Sequence, residues 1–196
     1  MKKNLLKEII NKKNQKIEFA IITNLENGDS CIFENKANLD PKFMKHKEKI
    51  IFFLKNKKNG IIENTNIFVE SYTRPIKVII VGAVHIAQYL VNFLKDLNFE
   101  IIIIDPRGYF ASEKRFPAIK IINKWPKDAF KEIKTDKDSA LIALTHDPKI
   151  DDPALQHALN KKFYYIGALG SKKTHANRCE RLKKAGFSYE EINSIH

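Results

Sequence analysis

Apolar residues recur along this chain at two periods, and the way those periods alternate divides it in two. Leu5, Leu6, Ile9 and Ile10 fall on one face of a short helix. Residues 17–23 and 31–34 read as strands around Glu26-Asn27-Gly28-Asp29, a hairpin-type turn. Residues 42–57 carry Phe43, Ile50, Ile51 and Leu54 at helical spacing and stop at Asn59-Gly60. Ile61-Ile62 and residues 67–72 predict a second hairpin over Asn64-Thr65, and Thr73-Arg74-Pro75 then breaks the pattern.

Beyond that break, short apolar runs alternate with amphipathic stretches. Strands are predicted at 78–81, 101–104, 119–122, 140–144 and 163–166, and helices at 84–97, 126–133, 154–160 and 174–185. Asp152-Pro153 reads as N-cap and first residue of the third of these helices, and Ser188 with Glu191 as the capping box of a last one. Alternation of this kind predicts an α/β fold: a Rossmann-type parallel sheet over residues 75–196, covered on both faces. A small α+β N-terminal part, residues 1–74, precedes it.

In such a sheet a ligand lies outside the carboxyl ends of the strands, where the strand order reverses. Four segments are expected there: 82–85, 105–107, 145–148 and 167–175. Gly82 suits a sharp strand-to-helix turn, and Ala87 lets the helix sit close on the sheet. Val84 stands where the dinucleotide fingerprint wants a second glycine, and its Cβ limits how near the backbone comes to a pyrophosphate. Asp105 lies about 20 residues beyond the turn, the usual place for an acid on ribose hydroxyls; it reads equally as a helix cap or a solvated loop acid. His85 reads either as a phosphate donor or as part of the helix cap. In the fourth segment Gly167, Gly170 and Ser171 precede a helix start, and Lys172-Lys173 add charge, so Gly170, Ser171, Lys172 and Thr174, with His175 nearby, are candidates to seat a phosphate. His146 and Asp147 read as an acid–base pair or as an Asx turn before Pro148. Cys179, one helical turn from His175, reads as a thiolate or as small core filler.

The net charge of +12 invites a nucleic-acid reading, but it comes from 30 Lys against 5 Arg, scattered with no run of five. Nucleic-acid faces favour Arg forks and aromatic platforms, so a solvated basic surface is the expectation. The 2 Cys form no CxxC pair and no metal-ligand spacing, which suits a reducing compartment. Only Leu5-Leu6 separates Met1-Lys2-Lys3 from Lys7-Glu8, so a signal-peptide core is not expected, nor is a membrane span from apolar runs of strand length. A cytoplasmic location follows as the expectation.

Taken in order, the runs Val81–Gln88 (Val-Gly-Ala-Val-His-Ile-Ala-Gln), Ile104-Asp-Pro-Arg107, Phe110-Ala111, Glu113-Lys-Arg-Phe-Pro117, Thr145-His-Asp-Pro148, Asp151-Asp-Pro-Ala-Leu155 and Phe163 to His175 resemble the xanthine dehydrogenase accessory factor family, of XdhC/CoxI type. The resemblance covers residues 76–196; residues 17–72 are similar only in layout. Many members read Gly-Ala-Gly-His at the first turn, and the Gly82-Ala83-Val84-His85 form is similar to a shorter branch. Members usually continue past Ile195-His196 with a glycine-rich tail. The resemblance implies an accessory protein that binds molybdenum cofactor, as molybdopterin or its dinucleotide form, helps its sulfuration, and delivers it to a molybdenum hydroxylase such as xanthine dehydrogenase. A cysteine desulfurase as sulfur donor and a homodimer are part of the same implication; the candidate cofactor-facing set, read from the four segments at the carboxyl edge, is Gly82, Val84, His85, Asp105, Arg107, His146, Asp147, Gly167, Gly170, Ser171, Lys172, Thr174 and His175. A small NAD(P)-dependent oxidoreductase is the second reading, supported by Gly82 and Asp105 and opposed by Val84; a nucleotide-sensing module is the third.

Overall fold

The computed structural model describes residues 3–34, 39–97 and 99–196, which form two compact units, Met1–Pro75 and Ile76–His196. The first unit is built on an antiparallel sheet of order β2-β1-β4-β3, with β1 Phe19–Asn24, β2 Ser30–Phe33, β3 Gly60–Ile61 and β4 Ile67–Tyr72. Strand alternation gives β1 two buried faces. Ala20 and Ile22 pack with Phe33, Ile50 and Leu54, whereas Phe19 and Ile21 pack with Ile9 and Phe19 stacks on Tyr72 at 4.8 Å. The faces are covered by α2 (Lys47–Lys55) and α1 (Lys3–Asn14) respectively. The helix expected over 42–57 is in fact a 3-10 turn, Pro41–His46, followed by α2: Asp40 caps the turn through the amide of Lys42 with proline at its first position. Ile62 lies past the end of β3, in the turn that Asn64 closes at φ 59°.

The second unit carries a five-stranded parallel sheet, order β7-β6-β5-β8-β9, with β5 Lys77–Val81, β6 Glu100–Ile104, β7 Lys120–Ile122, β8 Ser139–Ala143 and β9 Tyr165–Ala168. Val78 pairs with Ile101 and Val81 with Ile104 in parallel register, as the βαβ reading required. Ile79, Val81, Ile102, Ile104, Leu141 and Ala143 face one layer of helices, α4 Pro126–Glu132, α5 Pro148–Asn160, α6 Lys172–Lys184 and α7 Tyr189–Asn193. Val78, Ile80, Ile101 and Ile103 face α3, His85–Lys95, through Ala87 and Val91. Both faces are apolar because both are covered, which is why the strands read as continuous apolar runs. The Ser188–Glu191 capping box opens α7 as expected.

Three elements of this unit have boundaries that differ from expectation. Helix α5 starts at Pro148, with Asp147 as N-cap accepting from Lys149 N, and Pro153 sits inside it. Asp152 is held in a fork by the Arg181 guanidinium and caps nothing. Strand β9 runs to Ala168 rather than ending at Ile166, and α6 begins at Lys172 rather than Thr174 because Ser171 is its cap. Among the described residues no helix is long and apolar enough to cross a membrane.

Candidate functional site

The sheet order reverses between β5 and β8, so their carboxyl ends adjoin. Gly82, at φ 110°, lies so close to the loop after β8 that a Cβ there would stand 2.6 Å from Thr145 Cγ2. Only glycine fits both the left-handed backbone and the contact. Val84 then serves as the N-cap of α3 with no side-chain cap, and His85 opens the helix, exposed, with its ring edge on Tyr89 at 5.1 Å.

Asp105 closes this turn from the next strand. It is fully buried; Oδ2 accepts from Ala83 N at 2.8 Å and Arg107 Nη2 at 2.8 Å, and Oδ1 from Arg107 N and Nε, both at 2.9 Å. Burial opposes ionisation, but the guanidinium and the two amides outweigh it and hold the carboxyl below its ordinary value of 3.8. Both oxygens are therefore engaged within the fold, and a ribose hydroxyl would have to compete with four donors. Arg115 braces the same turn from the other side, donating to Ala83 O at 2.7 Å and Gln88 Oε1 at 3.0 Å, while Arg107 lies over the Phe110 ring at 4.9 Å.

The loop after β8 is organised by a second buried acid. Asp151, 2 % exposed, accepts from Thr145 Oγ1 at 2.6 Å, Thr145 N at 3.3 Å and His146 N at 3.0 Å. Its carboxyl is pushed up by burial, with those donors and the charge of Arg178 acting against the shift. His146 is held at φ 62° with its side chain exposed. Among the described residues no hydrogen bond joins the His146 ring to Asp147, whose carboxylate caps α5 instead, so an acid–base pair is not assembled.

Strand β9 leads into the fourth segment. Gly167 belongs to the strand and is buried, and a Cβ there would stand 2.8 Å from the Tyr165 ring. Leu169 N donates to Ala143 O at 2.9 Å, tying this segment to β8. Ser171 caps α6: its Oγ accepts from Thr174 N at 3.2 Å and lies 3.0 Å from Thr174 Oγ1. Thr174 N–H is thus satisfied within the protein, whereas the amides of Lys172 and Lys173 have no acceptor among the described residues, as expected for a first helical turn. His175 points along α6 to Cys179, with Nε2 and Sγ 3.4 Å apart. Cys179 is half-buried and packs on the core.

The structure brings Gly82, Asp105, Arg107 and Thr145 to the carboxyl edge around the reversal, with the β9–α6 turn beside them on β8. His85 and His175 lie on exposed helix surface. Missed in the sequence were Arg115, Asp151 and Arg178, which hold the loops from beneath. One signal was available: in a chain so dominated by lysine, each Arg at 107, 115, 178 and 181 stands where a fork grips backbone or carboxylate.

Known proteins resemble this chain. A molybdenum cofactor insertion chaperone of Escherichia coli, PaoD, is 41 % identical over 75 residues, 38 % of this chain and 23 % of that protein. A Bacillus subtilis protein described as a probable subunit of xanthine dehydrogenase is 28 % identical over 121 residues, 61 % of this chain and 36 % of that one. A crystal structure named as a xanthine dehydrogenase, from Bacillus halodurans, superposes with TM-score 0.66 over 89 % of this chain and 55 % of its own, at 22 % identity, which speaks to fold alone. In each case this chain spans less than two thirds of the relative. Residues 78–196 match the family described as the XdhC Rossmann domain, and the chain belongs to that family.

Proposed function

We propose that this protein is an accessory factor that binds molybdenum cofactor, as molybdopterin or its dinucleotide form, assists its sulfuration, and hands it to a xanthine dehydrogenase-type hydroxylase. The observation that carries the reading is a helix start at the carboxyl edge of the parallel sheet whose Lys172 and Lys173 amides have no acceptor among the described residues, in a chain whose relative, 41 % identical over 75 residues, is named for insertion of that cofactor. The cofactor's phosphate would sit at Gly170, Ser171 and Lys172, near Thr174 and His175, with Gly82, Val84, His85, Arg107, His146 and Asp147 along the rest of the edge. Once delivered, the cofactor supplies the redox chemistry of the recipient enzyme. This chain's residues bind and orient it, and Asp105 acts through Ala83 and Arg107 as an internal strap. A cysteine desulfurase as sulfur donor, a homodimer and a cytoplasmic location belong to the same proposal.

The competing reading, a small NAD(P)-dependent oxidoreductase, rests on Gly82 and Asp105. It is weakened by the Val84 side chain and by the engagement of both Asp105 oxygens. Calorimetric titration of the full chain with molybdenum cofactor and with NAD, side by side, tests the proposal: cofactor binding with little NAD binding supports it, and the reverse pattern overturns it.

A further inference from the structure

Beneath the β9–α6 turn lies a buried cation that no carboxylate neutralises directly. Arg178 is 2 % exposed and forms no ion pair among the described residues. Its Nη1 and Nη2 donate to Ala168 O at 3.3 Å and Leu169 O at 2.8 Å, and its Nε has no partner. Asp151 feels its charge, but no hydrogen bond joins them. A buried charge left in this state is costly, and an anion placed nearby would offset that cost.

The same contacts orient the turn. In a trans peptide the C=O and N–H point to opposite sides, so Leu169 O turned in towards Arg178 leaves Gly170 N–H turned away from it. Gly170 N–H has no acceptor among the described residues, and the amides of Lys172 and Lys173 are free at the positive end of α6, a helix of 13 residues. At the first turn of the sheet the buried side chain behind the amides is an acid already paired with Arg107, not an unpaired cation. Behind the start of α3 lies the buried carboxylate Asp105, which takes the Ala83 amide for itself.

We infer that Arg178 is a positioning residue, holding the Gly170 turn with its amides outward and placing a buried positive charge behind them, and that the seat so formed takes a phosphomonoester or pyrophosphate group. This deepens the proposed function and rests on its reading that the α6 end of the sheet receives the phosphorylated part of the ligand.

The test is amide-resolved NMR titration of the full chain with inorganic pyrophosphate. The amides of Gly170, Lys172 and Lys173 are expected to shift together. Lys172→Ala removes one charge and should weaken binding no more than about threefold. Lys172→Pro also removes the N–H, at the first helical position where proline is favoured and after an extended Ser171 at ψ 165°, so the helix is kept and binding should fall about tenfold further. Arg178→Lys keeps the charge but cannot fork two carbonyls, and should weaken binding at least tenfold with the helix content retained; if that variant does not fold, the Lys172 pair decides. Equal binding by Lys172→Ala and Lys172→Pro, or shifts centred on Val84, His85 and Ile86, overturns the seat. Pyrophosphate seated here without molybdenum cofactor binding would leave the seat and remove the proposed function; cofactor binding with no pyrophosphate response at these amides would do the opposite.

Discussion

Replacing Asp105 by alanine tests whether this acid is an internal strap or a ligand group. The carboxylate accepts four hydrogen bonds, three of them from Arg107. With the acid gone, the Arg107 side chain, 38 % exposed, can turn to water and recover much of its share. Ala83 N–H is buried and cannot, and an unsatisfied buried donor costs about 1–3 kcal/mol. Together with the cavity and the lost charge-assisted bonds, the expected destabilisation is about 3 kcal/mol. Asp105→Asn keeps an acceptor for Ala83 and should cost about half as much. Trp125, the single tryptophan, stands at the N-cap of α4 in the same unit, so its fluorescence in urea reports on the right part of the chain. With m of about 2 kcal/mol/M, Asp105→Ala should lower the midpoint by about 1.5 M at unchanged m. A loss below about 1 kcal/mol would refute the strap and return Asp105 to ligand binding. Because the folded carboxyl titrates below its ordinary 3.8, its contribution is present above that value and lost as pH falls through the folded one. The gap between parent and Asp105→Asn should therefore narrow below pH 4.

Other substitutions address the turns themselves. Gly82→Ala must adopt φ 110° and meet Thr145 at 2.6 Å, so it should destabilise the second unit by at least about 2 kcal/mol in the same urea assay. NAD and NADP should bind more weakly than about 100 μM, about 5.5 kcal/mol, by calorimetry; a low-micromolar constant for either would promote the oxidoreductase reading. Ser171→Asp keeps a good N-cap, so the melting temperature should change little, yet it adds a negative charge at the phosphate seat and should weaken molybdenum cofactor binding at least tenfold. Val84→Asp is the matched control at the start of α3: if it abolishes cofactor binding while Ser171→Asp does not, the phosphate lies at the first turn.

The parallel sheet was legible because its central strands are buried on both faces and so appear as unbroken apolar runs, such as Ile101 to Ile104. The start of α5 was not, because Asp147-Pro148 and Asp152-Pro153 carry the same cap-and-proline signal. What selects the first is tertiary: Asp151 reaches back to Thr145 and His146, and Arg181 claims Asp152 from another helix. The turn residues Gly82, Gly170 and Ser171 could be picked from local chemistry alone. The buried groups that set those turns could not, since Arg178 and Asp151 sit in helices where their periodicity resembles that of any polar residue. The ribose role expected of Asp105 depended on its oxygens being free, which spacing cannot report.

The strand order also fixes when the second unit can fold. During synthesis β5 emerges first and β6 follows after a single helix, so one flank of β5 can pair early. Its other flank waits for β8, which pairs Val78 with Ala140 only after β7 and α4 have been made. Until then an apolar central strand presents an open edge, the condition that favours off-pathway association and slows chains rich in distant pairings. A cell making this protein quickly, or a bench preparation refolding it at high concentration, meets that vulnerability in the second unit at β5.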